Sequence, residues 1–126
     1  MRPKTLAEVA LLTAGGDSFD LSLANFLDEF YGAPTEAAIR ETPVLLKPRF
    51  GELGQIQDAY LAATAEELAR AFNLAIPEWT AGDERMLRKP WFASPLAALR
   101  AALILESPAG FRSRNLFVSE NALSRV

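Results

Sequence analysis

The chain of 126 residues contains no cysteine and no histidine. Without cysteine there is no disulfide, no thiolate metal site and no thiol nucleophile. Without histidine the commonest general base and the commonest metal ligand are lost together. An enzyme built from this chain would have to use carboxylates, Lys, Tyr or Ser/Thr hydroxyls. Glycine-rich phosphate loops, a paired Cys-x-x-Cys and a His-Glu-x-x-His zinc helix are missing as well. Gly15-Gly16 follows a helical pattern and reads as its stop. No heptad, internal repeat or low-complexity tract is present. The apolar stretch Ser94–Glu106 is far short of the roughly 20 residues that cross a bilayer. The expectation is therefore no cofactor, no metal site and no membrane contact.

What is present is the composition of a globular domain: half of the residues are hydrophobic and 23% charged. A chain of this length can bury a core of its own as one domain. The net charge of −3 is unevenly spread. Residues 1–84 hold six basic and 14 acidic side chains, for −8, whereas residues 85–126 hold seven and two, for +5. Either the two parts pack together with complementary surfaces, or a basic face is kept for an acidic partner.

Ser94–Glu106, SPLAALRAALILE, anchors the fold expectation. Ser94 and Pro95 supply a capping residue and a first-turn proline, whose missing N–H costs nothing there. From Leu96 to Leu105 only Arg100 is polar, and a helix apolar all round is expected to be buried all round. Earlier, Thr5 and Glu8 form a capping box for a helix Leu6–Ala14. Arg2 and Lys4 precede that run, but Glu8 interrupts it, so it reads as the first helix of a cytoplasmic protein and not as a signal peptide. Ser18 caps a helix carrying Phe19, Leu23, Phe26, Leu27 and Phe30 at helical spacing, ended by Gly32 and Pro34.

A short helix is expected near Glu36–Glu41, then an extended connector over Val44–Phe50 between prolines. The longest helix should run from Glu52 to Phe72. Its buried face should carry Leu53, Ile56, Tyr60, Leu61, Thr64, Leu68, Ala71 and Phe72, with alanines on the flanks and Asn73 as C-cap. Leu74–Gly82 is expected as a loop, Asp83–Lys89 as a short basic helix, and Leu116–Val118 as too short to promise a sheet. The segment Arg112–Val126 carries Leu116, Phe117, Val118 and Leu123, too much apolar surface for a frayed tail, and should dock on the acidic N-terminal part. The fold expectation is a single all-α domain, residues 1–126, of five or six helices around Pro95–Glu106.

Several residues stand out as candidate sites. Glu67 falls inside the apolar face of the long helix, and Arg100 is alone in the apolar one. A buried charge needs a partner, so the two are expected to pair as a structural ion pair, with Arg70 as the competing partner of Glu67 and snorkelling to the surface as the alternative for Arg100. Arg85, Arg88, Lys89, Trp91, Arg112, Arg114 and Arg125 combine cations with an aromatic and form a candidate partner surface. Trp and Arg anchor protein interfaces, which favours a protein partner and also allows a homodimer. The same ingredients allow nucleic acid, against an acidic pI and no helix-turn-helix spacing. Asp28-Glu29 and Glu66-Glu67 are adjacent carboxylates, but neighbours on a helix point about 100° apart and do not converge on a metal or substrate. A carboxylate or hard-metal enzyme is the least favoured reading.

Trp91-Phe92, the Leu/Ala-rich run Leu96–Leu105, Glu106-Ser107-Pro108 and the tail from Arg112 to Arg125 occur in an order that resembles a family of small, uncharacterised all-α bacterial proteins with an FRxRNxFVSxNALSR-type tail. FLDEFY at Phe26–Tyr31 and DAYLAA at Asp58–Ala63 belong to the same resemblance, which thus spans most of the chain. It implies a companion of nucleotidyltransferase-like toxins, an antitoxin-like protein, and brings no catalytic residues with it. The functional expectation is a non-enzymatic accessory protein that acts by binding another protein.

Overall fold

The computed structural model describes residues 2–94 and 97–125, and of Ala97 and Ala98 only the backbone. Helix α1, Leu6–Ala14, begins with the expected capping box: Thr5 Oγ1 accepts the Glu8 N–H at 3.0 Å and Glu8 Oε1 accepts the Thr5 N–H at 3.1 Å. Gly16, at φ +111°, turns the chain into α2, Phe19–Gly32, where Ser18 Oγ accepts the Leu21 N–H at 3.1 Å. The apolar spacing of α2 buries Leu23, Phe26, Leu27 and Phe30 against α1 and the short helix α3, Ala37–Arg40.

Residues Val44–Phe50 are not wholly extended, as the prolines suggested. Lys47–Phe50 form one helical turn, α4, with Pro48 in its first turn, a position where its missing N–H is no loss. The N–H groups of Leu46 and Lys47 both donate to the Asp58 carboxylate, at 2.7 and 3.1 Å. Gly51, at φ +62°, then redirects the chain into α5, Glu52–Ala71. At Gly54 a Cβ would collide with the Leu46 carbonyl, so this first turn of α5 tolerates only glycine against α4. The C-cap of α5 is Phe72, one residue before the expected Asn73, which follows it at φ +56°, and the Leu74 N–H returns to the Ala69 carbonyl at 2.7 Å.

Helix α5 is the centre of the molecule. On one side Leu61, Ala65, Leu68 and Ala69 join Leu6, Val9, Phe26, Phe30 and Ile39 in the larger core. On the other, Ala59 and Ala63 meet Phe111, Leu116 and Val118 in a second core. The alanines are therefore the packing surface and not the flanks. Their small side chains let elements close in from both sides, and the buried arc turns toward them. Leu53, Ala71 and Phe72, expected inside, are exposed.

After α5 the loop Leu74–Gly82 contains a 3₁₀ turn, Glu78–Ala81, and folds back so that the Trp79 indole N–H donates to the Ile39 carbonyl at 3.0 Å. Only Asp83–Arg85 of the expected basic helix is helical, again as a 3₁₀ turn. Trp91–Phe92, β1, then pairs in parallel with Leu116–Phe117, β2, with Trp91 opposite Leu116. Between them come α6, Ala97–Glu106, and α7, Ala109–Arg112.

The expectation that Pro95–Glu106 is the buried centre is overturned. Pro95 and Leu96 lie outside the described residues, and among the described side chains of the rest only Leu103 is buried. Leu99 is 47% exposed, Ile104 45% and Leu105 82%. The reason is topological. The pairing of β1 with β2 holds the entry to α6 on the far side of the second core. Its exit is held there too, because Ser107 Oγ donates to the Leu116 carbonyl at 2.9 Å. Nothing else in the described chain is placed to cover the outer side of α6.

The C-terminal segment is packed. Leu116 and Val118 are buried, the Tyr31 hydroxyl donates to the Leu123 carbonyl at 2.8 Å, and Arg125 pairs with Asp28 at 2.9 Å. These last two contacts place the tail on α2, in the acidic part of the chain. The described residues thus form a mostly helical, all-α fold with one minor two-stranded pairing, and no helix among them is long and apolar enough to cross a membrane.

Candidate partner surface and ligand groove

Two of the cations expected on a partner surface are internal. Arg85 is 1% exposed: its guanidinium donates to the Pro43 carbonyl at 2.6 Å, stacks over the Trp79 ring at 4.9 Å and lies 3.9 Å from the Asp58 carboxylate. Burial pushes the Asp58 carboxyl upward, against the two N–H donors of Leu46 and Lys47 and the Arg85 charge, and burial likewise lowers Arg85. Arg114 is also buried. It pairs with Glu66 at 2.9 Å and donates to the carbonyls of Gly110 and Thr80 at 2.7 and 2.9 Å. Each arginine collects backbone carbonyls from segments far apart in sequence, which makes them ties between loops, with the planar donor fork suited to the task.

The expected Glu67–Arg100 pair does not form. Glu67 accepts the Gly110 N–H at 2.9 Å, and a Cβ at Gly110 would stand 2.8 Å from that carboxylate, so the contact depends on glycine. Arg70 pairs instead with Glu66, at 2.9 Å. Arg100, exposed because α6 is peripheral, lies over the Phe92 ring at 5.0 Å. Both charges are satisfied without each other.

On the surface, Arg88, Lys89 and Trp91 do come together. They line an open groove of about 990 Å³ with Lys47, but Glu52, Asp83 and Glu84 line it too, so its charge is mixed. Arg112 is exposed on α7 and lines neither this groove nor its neighbour. Arg125 is taken up by Asp28, which also receives Arg2 at 3.4 Å. The hydrogen bond from Arg125 holds the Asp28 carboxyl below its ordinary range and raises Arg125 in turn. The seven-residue surface is thus divided among the interior, one groove, the α2 rim and, for Arg112, the exposed side of α7.

The neighbouring groove, of about 610 Å³, runs between α2 and α5 and is closed by the C-terminal segment. Phe19, Leu23, Ile56, Tyr60, Trp91 and Val118 give it an apolar wall, and Ile56 and Trp91 belong to both grooves. Gln57 is 9% exposed, lines this wall, and its Oε1 has no hydrogen-bond partner. Tyr60 stands edge-on to Phe19 and to Phe111, with centroids 6.0 and 4.8 Å away. Burial, with a smaller contribution from the Asp20 charge, pushes its phenol up to about 12, so it is a neutral hydroxyl at ordinary pH.

The sequence carried a signal for Gln57, a polar residue inside an apolar helical face, but none that placed α2 and the C-terminal segment around it. Asp58 was hidden in an alanine-rich run, its role depending on N–H groups in a turn the prolines disguised. The adjacent carboxylates are held by cations or N–H donors: Asp28 and Glu29 by Arg2, Glu66 by Arg70 and Arg114, Glu67 by Gly110. Among the described residues no three acidic side chains gather to hold a metal ion. Compared with known proteins, the chain matches no family model, no curated protein and no solved structure.

Proposed function

We propose that this protein is a non-enzymatic accessory module, antitoxin-like in its mode of action, that works by binding another protein through the outer side of α6. The observation that carries the reading is Leu105, 82% exposed, beside exposed Ile104 and Ala101 on α6, a helix whose charged residues are Arg100 and Glu106 alone. On a helix these three share one side. Single exposed apolar residues are ordinary, but a contiguous apolar helix face on a small soluble fold marks an interaction site. The likeness of Trp91-Phe92, Glu106-Ser107-Pro108 and the tail to small bacterial companions of nucleotidyltransferase-like toxins supports the same role.

The test is stoichiometric co-purification from the native source with the wild-type chain and with Leu105→Asp, melting temperature being measured for both. A defined partner lost in the variant at unchanged melting temperature supports the reading. A partner that survives the substitution, or a chain that purifies alone, removes it. Arg88 and Lys89 beside Trp91 favour nucleic acid as a second reading, and it requires affinity for generic DNA or RNA that falls steeply with salt.

A further inference from the structure

We propose that the groove between α2 and α5 binds a small organic amine, an ammonium carried on a compact apolar body. This goes beyond the protein-binding reading, since it uses no residue of the outer side of α6. The groove volume of about 610 Å³ falls among the usual sizes for small-molecule sites. Its wall presents three aromatic rings, Phe19, Tyr60 and Trp91, among aliphatic side chains, which suits an apolar body and gives a cation π faces to lie against.

The polar groups narrow the class. Gln57 places a carboxamide in the wall whose oxygen lacks a donor although the side chain is nine-tenths buried. That oxygen is itself covered by neighbouring atoms, so a ligand N–H reaches it, and relieves a costly unpaired acceptor, once the carboxamide turns toward the groove. Asp20 and Arg125 are the two charged side chains lining the groove. Arg125 is neutralised by Asp28, with contacts of 2.9 and 3.3 Å, while Asp20 has no hydrogen bond or ion pair among the described residues. Asp20 in the first turn of α2 is explained by the helix dipole, yet its charge is felt at the Tyr60 hydroxyl and so acts inside the groove. What remains is one free carboxylate, one acceptor without a donor, and aromatic walls. A primary ammonium, all donor and positively charged, complements each of these. A carboxylate ligand would meet Asp20 with like charge.

The test titrates the isotope-labelled full chain with phenethylamine, and in parallel with phenethyl alcohol and hydrocinnamate, as cation, neutral and anion on the same body. The Trp91 indole N–H and the Gln57 side-chain amide report binding. The expected result is saturable shifts with phenethylamine about tenfold tighter than with the alcohol, and the anion weakest. Asp20→Asn should bring amine and alcohol to within about twofold of each other. Gln57→Met, which keeps the volume and removes the acceptor, should weaken the amine by about tenfold while the melting temperature holds or rises. Equal affinity for amine and alcohol in the wild type overturns the proposal, as does an amine preference that survives Asp20→Asn. Shifts that follow protein concentration without any probe mean that a second copy fills the groove, and overturn it too.

Discussion

Helices α5 and α6 are both rich in alanine and leucine, and they have opposite fates. Helix α5 carries Glu52, Gln57, Asp58, Glu66, Glu67 and Arg70, yet it is buried along most of its length. Helix α6 carries a single internal charge, Arg100, yet Leu103 alone among its described side chains is buried. Apolar content sets how much a helix gains from being covered. Which helix is covered depends on what the rest of the chain can bring against it. The polar residues of α5 are the means of that covering: Asp58 gathers α4 and Arg85, Glu66 gathers Arg114, and Glu67 gathers α7 through Gly110. Helix α6 has no such attachments on its outer side.

The contrast is broken most severely at Asp58. Asp58→Ala leaves the Leu46 and Lys47 N–H groups and the Arg85 charge buried without their acceptor, and should destabilise by about 3–5 kcal/mol in urea unfolding. A loss under about 1 kcal/mol would mean that α5 does not hold α4 and the Arg85 loop in the way described. Next comes a matched pair of truncations. Leu61→Ala on α5 should cost about 2–5 kcal/mol, whereas Leu105→Ala on α6 should stay within about 0.5 kcal/mol. Similar costs at the two sites would show that α6 is covered in the free protein and would falsify the contrast.

A smaller effect is expected at Glu67. Glu67→Gln keeps an oxygen for the Gly110 N–H, so the cost should be no more than about 1 kcal/mol, against the larger penalty that a buried Glu67–Arg100 pair would carry. A loss near about 3 kcal/mol would restore that pair and draw α6 back toward the core. The smallest effect is one of pH. The Asp28 carboxyl lies below its ordinary 3.8 in the folded protein, so what it contributes is complete above that value and is lost as pH falls through the lowered one. Acidification below 3.8 should move the Arg125 side-chain resonances toward free values, with a shift in melting temperature smaller than in the α5 variants. Arg125 resonances that stay in place until global unfolding would show that the tail is held by Tyr31 and the second core alone.

Local chemistry was legible in the sequence. The Thr5–Glu8 capping box, the Ser18 cap, the start of α5 at Glu52, its stop one residue before Asn73 and the packed C-terminal segment all follow from neighbouring residues or from apolar content. These depend on interactions within a few residues, or on surface too large to leave wet. The wheel of α5 held at Leu61, Thr64 and Leu68, which are buried. It missed at its two ends, at Leu53, Ala71 and Phe72, because it assumed one buried face. With elements closing in from two sides, the small residues take the contact, and Leu53 is left outside.

The all-α class and the bounds of its longer helices were determined by the sequence by itself, because hydrogen bonding along a helix and its caps are local. Only the tertiary structure decided which of two alanine-rich helices lies at the centre, that Arg85 and Arg114 face inward while Arg88 and Lys89 face out, and that Phe19, Gln57 and Trp91 share one groove. Each of those outcomes turns on contacts between segments far apart along the chain. Burial belongs to the pair of surfaces that meet, and a sequence read along its length carries only one of them at a time.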